Sequence, residues 1–81
     1  MAPVLIDGDT IIIDEGVDQF DIDDIYVLEL NGKRLVKRVQ QLFDGAVLLI
    51  SENPSYSRET IPRDRVRDLR IVGRMVWPRV R

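Results

Sequence analysis

Ile25-Tyr26-Val27-Leu28-Glu29-Leu30-Asn31-Gly32-Lys33-Arg34-Leu35-Val36-Lys37-Arg38-Val39 is the stretch that decides the fold: two strand-forming runs separated by an Asn-Gly pair. A two-residue type I′ turn needs positive φ at both central positions, and asparagine and glycine supply it at least cost. The pair therefore predicts a hairpin with strands over residues 25–30 and 33–41. Its two-residue turn also fixes the register. Leu30 faces Lys33, Glu29 faces Arg34, Leu28 faces Leu35, Val27 faces Val36 and Tyr26 faces Lys37. Because side chains alternate along a strand, Tyr26, Leu28, Leu30, Leu35, Lys37 and Val39 share one face.

Similar punctuation extends in both directions. Upstream, the turn-forming Asp7-Gly8-Asp9 introduces the β-branched run Thr10-Ile11-Ile12-Ile13, and residues 14–24 are acidic with no strand or helix period, which reads as a loop. Downstream, Asp44-Gly45 turns the chain into a strand over 46–50, and Asn53-Pro54 ends it. Residues 55–70 are polar, arginine-rich and broken by Pro62; a last strand, 71–77, precedes Pro78. Short strands joined by tight turns predict a mostly β, small barrel-like fold built from hairpins, with residues 1–81 as one domain.

A chain of 81 residues buries a modest share of its surface and gains from a partner. With 44% hydrophobic and 32% charged residues it belongs with folded rather than disordered chains. It contains no cysteine and no histidine, which removes disulfides, the usual zinc sites, a Ser-His-Asp triad and a Cys-His pair. Asp7, Asp9, Asp21, Asp23 and Asp24 lack the spacing of a calcium loop, so no metal or cofactor is expected. Ser51, Ser55 and Ser57 have no histidine to activate them and read as ordinary serines. No apolar run spans a membrane and residues 1–13 lack the basic start of a signal peptide, so the expected location is cytoplasmic. Charge is segregated: residues 1–30 hold nine carboxylates and no basic group, whereas residues 31–81 hold twelve basic groups and five carboxylates. The arginines are interleaved with acids, as in Arg63-Asp64-Arg65, which favours attraction between the two halves over direct DNA binding.

Lys37 stands out from this pattern. The hairpin register places it mid-strand among apolar neighbours, where burying an unpaired ammonium is costly and favours the neutral amine. A neutral lysine can accept a proton as a general base. Alternatively, its stem can lie along the apolar surface while its head reaches water from the rim of the fold. The hairpin alone leaves both readings open.

Four blocks carry a resemblance. Met1-Ala2-Pro3-Val4-Leu5-Ile6-Asp7-Gly8-Asp9 resembles the start of the catalytic domain in LexA-like and phage repressors. Ile25-Tyr26-Val27-Leu28 with Asn31-Gly32, followed by Leu35-Val36-Lys37-Arg38-Val39, looks like the segment bearing that family's catalytic lysine. The others are Leu49-Ile50-Ser51-Glu52-Asn53-Pro54-Ser55-Tyr56 and Val72-Gly73-Arg74-Met75-Val76-Trp77. Together they cover nearly the whole chain in the family's order and spacing.

The resemblance implies a self-cleaving peptidase in which a serine attacks a bond in the preceding linker and a neutral lysine takes its proton. Lys37 maps onto that base, with Met1, Pro3 and Tyr26 in its neighbourhood. The family's serine falls immediately before the position of Met1, so these 81 residues are expected to carry the base without the nucleophile. The acidic residue that often follows the methionine is Ala2 here. The same resemblance implies a homodimer, with Ile71, Val72, Arg74, Met75, Val76 and Trp77 as candidate interface residues. It also implies operator DNA bound through an N-terminal helix-turn-helix head, and RecA filaments as the inducing partner in an SOS response. Two other readings are a signal-peptidase-like processing protease and a protein-interaction module that kept the fold and lost the chemistry.

Overall fold

The computed structural model describes residues 1–6, 8–51 and 58–78. The expected turn residues Asp7, Asn53 and Pro54, with Ser55 and Ser57, lie outside the described residues. The chain forms β1 (Ala2–Ile6), β2 (Asp9–Asp14), β3 (Asp24–Leu30), β4 (Lys33–Gln41), β5 (Val47–Ile50), β6 (Glu59–Ile61), the single-turn helix α1 (Arg63–Val66) and β7 (Arg70–Trp77). All strand pairs are antiparallel, in one sheet ordered β1-β2-β7-β3-β4-β5-β6.

The central hairpin follows its turn chemistry. Asn31 and Gly32 both adopt positive φ, 52° and 79°, and every pair from Leu30↔Lys33 to Tyr26↔Lys37 has the register set by that turn. At Asp44-Gly45 the Ala46 amide donates to Asp44 Oδ1 at 3.0 Å, closing an Asx turn into β5. The acidic loop is also where expected, between Asp14 and Asp24.

Two elements lie where the sequence reading placed no strand. β1 adds a strand before Asp7, and β6 occupies three residues of the polar stretch. The mostly β, hairpin-built fold stands, but its barrel-like aspect is a curl rather than a closed ring. β1 comes against β4 across the sheet, while β1 and β6 remain separate edges. Closure requires the first and last strands in the sheet order to pair, and counting hairpins does not supply that pair. Both edges are poor templates for further pairing: β6 is three residues long and β1 contains Pro3, which has no N–H to donate.

β3 is buried on both faces, and a core lies on each. Ile25 and Val27 pack with Val4, Ile11, Ile13 and Met75. Tyr26 and Leu28 pack with Val39, Val47 and Leu49, roofed by Val17 and Phe20 of the acidic loop, by Val66 at the end of α1 and by Leu69 after it. Each fully buried side chain of this size contributes about 1.5–3 kcal/mol relative to exposure, so β3 anchors both halves. Among the described residues no helix is long and apolar enough to cross a membrane.

Candidate active site

The hairpin puts Lys37 directly opposite Tyr26, on the face of the second core. Tyr26 and Val39 are both 0% exposed and Lys37 is half-buried between them, so an ammonium stem crosses otherwise apolar surface. On its other side Tyr26 pairs with Arg74 of β7, and Arg74 pairs in turn with Asp14 of β2. Side chains opposite each other share a face. Asp14, Arg74, Tyr26 and Lys37 thus form a polar row across four neighbouring strands, spaced by about 4.8 Å per strand.

The acidic loop is fastened over this row. The Tyr26 hydroxyl donates to the Ile22 carbonyl at 2.7 Å, and the Phe20 ring meets Tyr26 edge-on at 5.0 Å and 90°. Arg74 Nη1 reaches Asp21 Oδ1 at 3.8 Å, and the Gln41 amide donates to Asp23 Oδ1 at 2.8 Å. Burial raises the Tyr26 phenol above its ordinary value of 10.0, with Asp21 and Asp24 adding to the effect and Arg74 opposing it. Tyr26 is therefore a neutral, fixed wall at neutral pH.

The structure brings Tyr26 and Lys37 together and sets Met1 and Pro3 elsewhere in the sheet order. Met1 is 87% exposed at the head of edge strand β1, and exposed Pro3 follows it, three places from β3. The candidate interface residues are dispersed by environment. Met75 lies in the first core at 5% exposure, Ile71 and Val72 pack against opposite cores, and Arg74 and Val76 are half-buried. Trp77, at 55% exposure, alone of the six offers a large apolar surface to solvent. β7 has strand neighbours on both sides, so a partner would meet side chains there and not a free strand edge.

Sequence reasoning missed Arg74 as a neighbour of Tyr26 and the acidic loop as its cover. Neither has a local signal. β7 carries an extra residue at Val72 against β3 and another at Val76 against β2, which breaks the simple alternation that would have aligned it.

A family model described as Peptidase S24-like matches residues 1–76. No curated protein and no solved structure matches the chain.

Proposed function

Because the chain belongs to the Peptidase S24-like family, we propose that it is the self-cleaving and dimerising domain of a LexA-like or phage-type repressor, with Lys37 as general base. The observation that carries this reading is the half-buried lysine opposite fully buried Tyr26, at the position where the family pattern puts its base.

In the proposed reaction a serine immediately before Met1 gives its hydroxyl proton to the unprotonated Lys37 amine and attacks a peptide carbonyl in the preceding linker. The tetrahedral intermediate collapses as the Lys37 ammonium protonates the departing amine. Water then hydrolyses the resulting ester, with the same amine as base, and the serine is restored. Cleavage separates this domain from an N-terminal DNA-binding head, so the two heads lose the dimer that held them on operator DNA.

The test is self-cleavage of the full reading frame containing this segment, incubated at alkaline pH and followed by mass spectrometry. Fragments cut ahead of Met1 are expected, and Lys37→Ala should slow their formation by about a hundredfold or more. Cleavage at the parental rate in Lys37→Ala would remove Lys37 from the mechanism.

A further inference from the structure

The polar row does not stop at Lys37. β4 and β5 pair with Arg38 opposite Ile50, Val39 opposite Leu49 and Gln40 opposite Leu48. One step further along the same register, Lys37 meets Ser51, the residue that follows the last position of β5. Opposed residues share a face and bring their Cβ atoms to about 5 Å. A serine hydroxyl is thereby placed beside the Lys37 side chain on the side away from Tyr26. The surroundings limit where the lysine head can go. Val39 and Leu49 form the adjacent opposed pair, at 0% and 7% exposure, and Tyr26 commits its hydroxyl to Ile22. Ser51 is half-buried at the end of this apolar floor.

We propose that Ser51 is a positioning residue for Lys37: its Oγ accepts a hydrogen bond from Nζ and aims the amine's remaining valence away from β5. A serine oxygen keeps an acceptor site in either protonation state of the lysine. The role rests on the reading of Lys37 as the base, but the contact can be measured without any catalysis.

The chain contains two lysines, Lys33 and Lys37, and Lys33 is exposed, so it serves as an internal reference. The experiment compares Ser51→Thr with Ser51→Val, two side chains of one shape that differ in the hydroxyl. Each chain is acetylated with a water-soluble ester across the alkaline range, and the Lys37 to Lys33 ratio is read by mass spectrometry. Loss of the acceptor removes a partner that favours the ammonium, so Lys37 should acetylate about threefold faster in the valine chain, the effect of one modest hydrogen bond. The threonine chain should follow the parent. Because the comparison is between matched shapes, a general loosening of the strand end affects both variants alike.

Equal ratios in the two variants, or slower labelling with valine, overturn the Ser51 contact and leave the base reading intact. Conversely, undiminished self-cleavage in the Lys37→Ala full-length protein removes the base, while a threefold labelling difference still establishes the contact.

Discussion

Tyr26 shows how much of the site depends on one side chain. It closes the second core, walls Lys37 and fastens the acidic loop through its bond to Ile22. Its raised ionisation has a definite consequence for stability. Above pH 10.0 the exposed phenol of the unfolded chain loses its proton before the buried one does. The unfolded state then binds fewer protons than the folded state, so stability falls as pH rises. The Tyr26 contribution is thus complete at neutral pH and is lost as pH rises through the folded-state ionisation. Tyr26→Phe should be about 1 kcal/mol less stable at neutral pH, for the lost hydrogen bond. It should also show a flatter decline in the alkaline range. Urea midpoints at a series of pH values check this, and parallel declines in the two proteins would place the titrating group elsewhere.

At the scale of elements, β7 is held by a close approach that only glycine permits. A Cβ on Gly73 would stand 2.8 Å from the Asp14 carbonyl oxygen and 2.8 Å from Ile13 Cδ1. The first of these is backbone and cannot turn aside. Gly73→Ala should therefore cost about 1–3 kcal/mol, through separation of β7 from β2. That is a large share of the roughly 4–12 kcal/mol expected for a domain of this length. Thermal melts would detect it, and an unchanged melting temperature would mean the two strands already have room. The same strand explains what was legible in the sequence. The β3–β4 hairpin was readable because Asn31-Gly32 specifies its turn and, through it, the position of Lys37. The Tyr26–Lys37 half of the site came with it. The Arg74 half did not, because the register of β7 depends on contacts far away in sequence and on the extra residues Val72 and Val76. β1 and β6 escaped for the opposite reason: they are short, and Pro3 and the polar surroundings of Glu59–Ile61 mask their strand character.

Across the whole molecule, charge segregation becomes structure where Asp21 meets Arg74 and Glu29 meets Arg70 at 3.6 Å, each joining the acidic part of the chain to the basic part. Such exposed pairs are worth at most about 1 kcal/mol each and orient more than they stabilise. The apolar surface has more to say about association. Pairing sets Pro3 opposite Ile12 and Ile12 opposite Trp77, a row across β1, β2 and β7 with Trp77 at 55% exposure. If the proposed dimer uses the β7 region, Trp77→Glu should raise its dissociation constant by at least about tenfold, the effect of losing one aromatic anchor. Sedimentation equilibrium measures this, and an unaltered constant would move the interface off Trp77. One further consequence comes from the place of β7 in the sheet. It lies between β2 and β3, and among the described residues no other strand joins the β1–β2 hairpin to the β3–β4–β5–β6 ribbon by backbone pairing. On the ribosome, then, the nascent chain carries two unjoined sheets until the residues from Arg70 onward emerge. That strand seals both. A premature stop before it yields two bodies with bare inner edges, prone to cross-pair with other chains, and not a smaller version of the domain.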